Sequence, residues 1–193
     1  MKNPDLPLSP HQVSRILVIK FRHHGDMLLT TPVIHSLKAA WPNAEIDVLL
    51  YEETRAMLAS PPDINKIYAI DRAWKKQGIR FQLRQECHLI KKIRKQRYDI
   101  VVNLADQWIS AVITRLTKAP VRLGFDFPKR RGVLWQYCHT HLVPTNTHHN
   151  LHTVEQNLSL LEPLQLPNID STGGMYYADS DRQAVLQRLT GVT

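Results

Sequence analysis

The 193-residue sequence contains two cysteines, Cys87 and Cys138, too few for a disulfide framework. This scarcity fits a reducing, cytosolic setting. No stretch approaches the ~20 consecutive apolar residues of a membrane-spanning helix. The opening twelve residues, MKNPDLPLSPHQ, lack the apolar core of a secretory signal. We therefore expect a globular chain in which residues 1–14 form a flexible tail ahead of the first strand.

Three glycine-based motifs are also absent. The segment ILVIKFRHHGD holds a single glycine, Gly25, so the G-x-G-x-x-G pattern of dinucleotide-binding sites is not supported. Neither the P-loop pattern G-x-x-x-x-G-K-[ST] nor the hydrolase elbow G-x-S-x-G occurs. The sequence thus argues against these three kinds of site.

What is present is an alternation of strand-like and helical segments in a chain with 43% apolar residues. This order predicts an α/β fold with a parallel sheet, flanking helices and right-handed crossovers. The predicted strands are residues 15–20, 46–51, 66–70, 99–104 and 121–124. The predicted helices are residues 31–41, 52–60, 79–93, 107–117, 152–161 and 181–189, and residues 125–150 read as a loop.

Charge is the most informative bulk property, because the formal net charge is +8. Ten basic residues lie between Arg72 and Arg97 against one acidic residue, Glu86, and Lys129, Arg130 and Arg131 form a second group. The long helix carries an apolar stripe on one face, with the basic residues largely on the others: Ile79, Leu83, Cys87, Ile90 and Ile93. Such a basic surface is either a solvated helix face or a binding surface for a polyanion.

A polar loop, KFRHHGDMLLTTP, follows the first strand at residues 20–32. The carboxyl ends of parallel strands are where α/β proteins usually bind ligands. Gly25 would let the backbone turn sharply and approach a ligand. From the pattern alone, Asp26 is either a helix cap or a catalytic carboxylate.

The residues Lys20, Gly25-Asp26 and Thr30-Thr31-Pro32 resemble the N-terminal signature of the family 9 glycosyltransferases, the lipopolysaccharide heptosyltransferases. The resemblance continues through AEIDVLLYEET, PDINKIYAID, YDIVVNLADQW and VEQNLSLL, from residue 15 to about 161. Within the family, the chain is most similar to the branch that adds a third heptose to the inner core.

This resemblance implies a Rossmann-like parallel sheet flanked by helices, the N-terminal half of a GT-B glycosyltransferase. It implies an acceptor-binding domain at residues 15–177, with residues 178–193 beginning the connection toward a donor domain. The implied donor is ADP-heptose, with no further cofactor and no metal, and the implied acceptor is a phosphorylated lipid A–inner-core saccharide.

The resemblance makes Asp26 the base that removes a proton from the acceptor hydroxyl during inverting transfer. The residues expected to contact the acceptor are Lys20, Arg22, Gly25, Thr30, Thr31, Asp106, Gln107 and Trp108. The alternative that Lys20 and Arg22 are solvated residues at the end of a strand remains open. Core packing or helix capping also remains an alternative role for residues 106–108.

A lipid-anchored acceptor implies that the chain works at the anionic cytoplasmic face of the inner membrane as a peripheral protein. The basic residues expected to face membrane or phosphate are Arg84, Lys91, Lys92, Lys95, Lys129, Arg130 and Arg131. Trp74, Phe81 and Tyr98 could assist insertion, although core packing is the favoured interpretation. Two rival functions stay open: an acceptor-binding or truncated non-catalytic module, and, less favoured, a nucleic-acid-binding protein, for which no known signature occurs.

Six candidate metal ligands cluster near the end of the predicted loop: Cys138, His139, His141, His148, His149 and His152. The sequence has neither H-E-x-x-H nor a paired C-x-x-C to accompany them. We favour a polar loop closing near the acceptor cleft over a structural zinc site.

Overall fold

The computed structural model describes residues 13–21, 24–58, 62–130, 132–146, 148–167 and 169. Within these residues six parallel strands form one sheet in the order β3-β2-β1-β4-β5-β6. The strands are β1 (Arg15–Ile19), β2 (Glu45–Tyr51), β3 (Lys66–Ile70), β4 (Ile100–Asn103), β5 (Val121–Asp126) and β6 (His141–Pro144). The strand order reverses between β1 and β4, and such a reversal opens a crevice outside the carboxyl ends.

Helices cover both faces of the sheet, which confirms the predicted fold class. The α-helices are α1 (His24–Leu28), α2 (Thr31–Ala40), α3 (Ile79–Lys95), α4 (Trp108–Thr117), α5 (Val133–Cys138) and α6 (Thr153–Ser159). Shorter 3-10 segments span Glu52–Leu58, Arg72–Gln77, Pro128–Arg130, His148–Asn150 and Glu162–Leu164. Among the described helices, none is long and apolar enough to cross a bilayer.

Alternate residues of the central strands enter two separate cores. Ile16 and Val18 of β1 pack with α2 and α6 on one side, and Leu17 and Ile19 pack with α3 and α4 on the other. Because both faces are covered, the central strands are apolar at nearly every position, which is why their sequence signal is strong.

The prediction of a loop at residues 125–150 is wrong. Strand β5 continues to Asp126, and helix α5 and strand β6 follow within the same segment. Strand β6 is a short edge strand, His141–Pro144, in which only Val143 is buried. A four-residue, half-covered strand carries neither a buried apolar run nor a clear alternation, so the sequence pattern missed it.

The predicted long helix is present as α3, but only part of its apolar stripe packs against the sheet. Ile79, Leu83 and Cys87 are exposed, whereas the buried residues of α3 are Leu89 and Ile93. The periodicity identified the helix correctly but did not show which part of it contacts the sheet.

Three further expectations differ from the structure. Residues 52–58 form a 3-10 segment rather than an α-helix, helix α1 lies inside the charged loop, and a 3-10 segment follows β3 at Arg72–Gln77. The predicted helix at residues 181–189 falls outside the described residues, as do nearly all of the proposed tail and connection. The domain boundaries therefore stay predictions.

Candidate functional site

Two cavities open at the carboxyl edge of the sheet. The first, of about 190 Å³, involves the ends of β1, β4 and β5 together with α1 and α6. The second, of about 750 Å³, lies at the ends of β2 and β3, between the 3-10 segment Arg72–Gln77, helix α3 and the start of α4. Both cavities lie at the strand-end position that the sequence predicted for a ligand site.

Asp26 lines the smaller cavity from helix α1. It is the third residue of α1, and the residue at the N-cap of the next helix is Thr30, so Asp26 does not cap α2. The Asp26 side chain is half-buried, and Lys20 and Asn157 line the same cavity. A carboxylate at the wall of a small polar cavity has the placement that a base needs, and its catalytic role stays a prediction.

Gly25 does not make the sharp turn that the sequence predicted. It lies inside helix α1, and among the described glycines the one with a positive φ is Gly78. A Cβ atom at Gly25 would meet nothing within 4 Å, so packing within the described residues does not demand glycine there.

Lys20 is not a solvated strand end, because it is only 5% exposed. Its Nζ donates a hydrogen bond of 2.8 Å to Oδ1 of Asn157, and Nδ2 of Asn157 donates to the carbonyl of Leu29 at 2.9 Å. This chain of bonds joins the end of β1 to α6 and to the connection between α1 and α2. A buried ammonium held in this way places a fixed positive charge in the cavity that Asp26 lines.

Thr30 and Thr31 are both buried at the junction of α1 and α2. The Thr30 hydroxyl donates to the carbonyl of Asp26 at 3.1 Å, and the Thr31 hydroxyl donates to the carbonyl of Leu28 at 2.8 Å. Both hydroxyls thus hold the backbone around Asp26. Their predicted contact with the acceptor stays a prediction that this burial does not favour.

The loop after β4 is anchored from three sides. Gln107 Nε2 donates to the carbonyl of Phe21 at 3.2 Å, and Arg130 Nε donates to the carbonyl of Asp106 at 2.7 Å. The Arg130 guanidinium also lies 5.8 Å from the ring centre of Trp108, whose own ring packs edge-on against Trp135. Asp106 and Gln107 are half-buried and Trp108 is exposed, so this loop forms part of the carboxyl edge.

The buried side chain of His139 contacts the end of β4. His139 Nδ1 contacts the carbonyl of Trp135 at 2.9 Å, and Nε2 contacts Nδ2 of Asn103 at 3.1 Å. Because a carbonyl can only accept, Nδ1 carries the proton and Nε2 accepts from the Asn103 amide. The other end of that amide, Oδ1, accepts from the backbone N–H of Ala105 at 3.1 Å.

Burial lowers the pKa of His139 to about 4. The ring is therefore neutral near pH 7, which the hydrogen bonds require. A Cβ atom at Gly124 of the neighbouring strand would overlap the His139 ring, so the ring occupies space that only glycine leaves free.

The larger cavity contains basic residues that sequence reasoning did not assign to the site. Arg72, Lys75 and Lys76 line it, together with the acidic residues Glu53, Asp71 and Glu86. Arg72 Nη1 pairs with Oε1 of Glu53 at 2.8 Å, and this partner raises the pKa of Arg72. The sequence could have indicated this placement. Residues 71–76 directly follow β3, and the carboxyl ends of parallel strands lie at the same edge of the sheet, so these residues lie at the same edge as residues 20–32.

Most of the predicted basic residues that the structure describes are exposed. Arg84, Lys91, Lys92 and Lys95 are exposed on α3, and Lys129 is exposed in the turn before α5. Arg130 is half-buried against Asp106 and Trp108 as described above. Arg22 and Arg131 lie outside the described residues. Of the predicted aromatic residues, Tyr98 is buried and Trp74 packs against the core, as favoured from the sequence.

The candidate metal ligands are dispersed. Within the described residues, no group of three or more histidine, cysteine, aspartate or glutamate side chains is placed to hold a metal ion. His148 lines the small cavity beside Gln156 and Asn157, and burial lowers its pKa. His148 is thus the member of this group that lines the small cavity, and closure of the segment near an acceptor cleft stays a prediction.

Comparison with known proteins gives consistent matches. Residues 87–190 match the profile of glycosyltransferase family 9 (heptosyltransferase). Lipopolysaccharide heptosyltransferase 3 of Escherichia coli is 44% identical over 156 residues, covering 81% of this chain and 44% of the relative. The same enzyme from strain K12 is 41% identical over 158 residues, covering 82% of this chain and 44% of the relative. The chain thus spans less than half the length of these curated relatives.

Solved structures show the same fold. A family 9 glycosyltransferase from Veillonella parvula superposes with a TM-score of 0.74 at 21% identity, covering 94% of this chain and 51% of that one. E. coli ADP-heptose heptosyltransferase II superposes with a TM-score of 0.68 at 19% identity, covering 91% of this chain and 50% of that one. At these identities the likeness concerns the fold.

Proposed function

Because the chain belongs to glycosyltransferase family 9, we propose that it is the acceptor-binding half of an inverting heptosyltransferase. The complete enzyme transfers L-glycero-D-manno-heptose from ADP-heptose to the inner core of lipopolysaccharide. The observation that carries the proposal is Asp26, a carboxylate at the carboxyl edge that lines a cavity together with the buried cation Lys20. The 41–44% identity to heptosyltransferase 3 supports transfer to the core saccharide.

The proposed reaction uses Asp26 as the general base. The acceptor hydroxyl oxygen attacks the anomeric carbon of the heptose while its proton passes to the Asp26 carboxylate. The bond from the anomeric carbon to the ADP oxygen breaks, and ADP leaves with the bonding electrons. Proton transfer to a positioned base accelerates such a step by about 10²–10⁴-fold. The ammonium of Lys20 can donate hydrogen bonds to anionic or hydroxyl groups of the acceptor.

The second cavity gives the phosphates of the acceptor a place to bind. Arg72, Lys75 and Lys76 provide cations on one wall of a space of about 750 Å³ at the same sheet edge. An arginine fork and lysine ammonium groups suit phosphate oxygens, which form charge-assisted hydrogen bonds with them. We propose that the phosphorylated part of the acceptor occupies this cavity while the reacting sugar lies beside Asp26.

We also propose that the protein works at the cytoplasmic face of the inner membrane. The lipid-anchored acceptor is presented there, and α3 carries six basic residues against one acidic residue. Each Lys or Arg near an anionic surface contributes about 1 kcal/mol to attachment. Attachment through charge weakens as salt increases.

We propose that the donor site lies in the other half of the enzyme. Addition of ADP-heptose and acceptor to the isolated chain tests this assignment: we expect binding without transfer, and turnover would contradict it.

The proposed substrate is tested by titrating the isolated chain with deacylated, phosphorylated inner-core saccharide. An oligonucleotide of similar charge serves as the comparison polyanion. We expect binding of the saccharide to exceed binding of the oligonucleotide at the same salt concentration. The reverse preference would favour a nucleic-acid-binding protein and contradict the proposal.

The proposed base is tested by Asp26→Asn in an enzyme that joins this chain to the donor-binding half of E. coli heptosyltransferase 3. We expect the transfer rate to fall by about 10²–10⁴-fold while the affinity for deacylated acceptor is retained, since the amide cannot accept the proton. Glu45→Gln is the matched control, because Glu45 pairs with Arg15 at the opposite edge of the sheet. Near-normal transfer by Asp26→Asn would remove Asp26 from the mechanism.

A further inference from the structure

Exposed apolar side chains are concentrated on one layer of the protein. Nine large apolar residues are exposed among the described residues, and all but Ile169 lie on α3, α4 or α5. No large apolar residue of α2 or α6, which cover the other face of the sheet, is among them. Scattered single exposures are normal on a protein surface, but a concentration on one helix layer indicates a contact surface.

Helix α4 forms the centre of this surface. Trp108, Val112 and Leu116 follow each other at spacings of four, so they share one side of the helix, and all three are exposed. The buried residues Ala111, Ile113 and Thr114 occupy the other side. The helix is thus apolar on its packed side and also on its solvent side, which burial within the chain does not explain.

The two neighbouring helices extend the surface. Helix α4 contacts α3 and α5. Val133 and Leu134 at the start of α5 are 83% and 68% exposed, and Ile79 at the start of α3 is 71% exposed. We call the outward sides of α3, α4 and α5 the apolar face.

Positive charge accompanies the apolar face. Helix α3 carries six basic residues and one acidic residue, and neither α4 nor α5 contains an acidic residue. Two of the exposed aromatic rings lie against guanidinium groups: Arg130 over Trp108 at 5.8 Å and Arg115 over Tyr137 at 4.6 Å. Apolar residues beside Trp, Tyr and basic side chains are the combination that binds at the interface of an anionic bilayer.

We propose that the apolar face inserts into the headgroup region of an anionic lipid bilayer. The proposal rests on the proposed function, because a lipid-anchored acceptor makes such an attachment useful. It goes beyond attachment by charge, since it assigns apolar contact to α4 and α5. Helices α3 and α4 both contribute residues to the larger cavity, Gln82 and Ile109 among them, so the apolar face lies beside that cavity.

The experiment measures partition of the isolated chain onto vesicles of phosphatidylcholine mixed with phosphatidylglycerol. The variant combines Val112→Ser, Leu116→Ser and Leu134→Ser, which changes no charge and alters only exposed side chains. We expect its partition coefficient to fall by about tenfold or more, because three apolar side chains no longer leave water. Ile169→Ser, an exposed apolar residue outside the apolar face, is the matched control and is expected to bind like the unmodified chain.

A second readout locates the inserted residues. Vesicles with brominated acyl chains should quench tryptophan fluorescence of the chain. Trp41 and Trp135 are buried, so Trp108→Phe should remove the quenching that Trp108 contributes, and Trp74→Phe measures the contribution of the half-buried Trp74 separately. Unchanged partition of the triple variant would overturn the proposal and leave attachment to charge alone. Concentration-dependent dimers that the same three substitutions dissociate would also overturn it and make the face an interface between copies.

The experiment distinguishes failure of the apolar attachment from failure of the proposed function. The vesicles contain no saccharide, and each variant is also titrated with deacylated acceptor in solution. Saccharide binding without vesicle binding contradicts only the apolar attachment. Vesicle binding without saccharide binding contradicts the proposed function and leaves the membrane contact established.

Discussion

The two cavities at the carboxyl edge are built in opposite ways. The walls of the Asp26 cavity are fixed by buried polar groups, since Lys20 and Asn157, which both line it, are hydrogen-bonded to each other. The larger cavity has exposed cations on a 3-10 segment, with Arg72 paired to Glu53 at the surface. A buried hydrogen-bonded group has one geometry and a high cost of disruption, whereas an exposed cation can adjust to its ligand. The difference fits chemistry in one cavity and electrostatic binding in the other.

Acidification is expected to have the largest effect on the free energy of unfolding. It acts on His139, a buried group that is hydrogen-bonded to Asn103 at the end of β4. The pKa of His139 is lowered from 6.5 to about 4 in the folded chain, so the unfolded chain takes up the proton first as the pH falls. The stability contributed by neutral His139 is complete above pH 6.5 and is lost between 6.5 and 4. This loss is about 3 kcal/mol in the free energy of unfolding.

The measurement is urea unfolding at a series of pH values, with His139→Gln compared with the unmodified chain. His88→Gln, at an exposed position on α3, is the control. We expect the dependence on pH between 6.5 and 4 to be weaker in His139→Gln and unchanged in His88→Gln. Equal pH dependence in all three proteins would show that His139 is not held neutral.

Asn157→Ala, in the wall of the Asp26 cavity, is expected to have a somewhat smaller effect on the free energy of unfolding. The substitution removes the Oδ1 acceptor of the Lys20 ammonium at a buried position and the donor to the Leu29 carbonyl at a partly buried one. The expected loss is about 1–3 kcal/mol in the free energy of unfolding, together with weaker binding of acceptor saccharide. Asn146→Ala, at an exposed position, should leave both quantities unchanged. Unchanged stability of Asn157→Ala would mean that the Lys20 cation does not depend on this bond.

The smallest effect on stability is expected in the larger cavity. Arg72→Gln combined with Lys76→Gln removes two exposed cations, so the free energy of unfolding should change by less than about 0.5 kcal/mol. Affinity for the phosphorylated saccharide should nevertheless fall, and its dependence on salt should become shallower. Lys66→Gln, at the opposite edge of the sheet where β3 begins, removes a charge without this effect. If the double variant bound the saccharide as before, the larger cavity would not be the phosphate site.

The central strands were predictable from the sequence, and the edge of the sheet was not. Strands β1, β2 and β4 are covered on both faces, so their continuous apolar runs stand out from the surrounding sequence. Strand β6 and helix α5 were missed because β6 is short and half-covered and α5 has exposed apolar residues. For α3 the period was read correctly, yet its first apolar residues face away from the sheet.

Some residues of the candidate site were likewise predictable from the sequence, and others were not. Asp26 and Lys20 were identified because they follow the first strand, and parallel strands place their carboxyl ends together. Arg72 and Lys76 were counted as bulk charge although they follow the third strand. The partner of Lys20 is 137 positions away in α6, and no local pattern links the two residues.

The sequence by itself determined the parallel α/β architecture, the excess of positive charge and the acidic residue in the segment that follows the first strand. These follow from local periodicity and from composition, which each segment carries on its own. Only the tertiary structure decided that Lys20 is buried, that His139 is neutral and that the apolar side of α4 faces outward. Burial depends on which distant segments pack against a residue, and that is a property of the assembled chain.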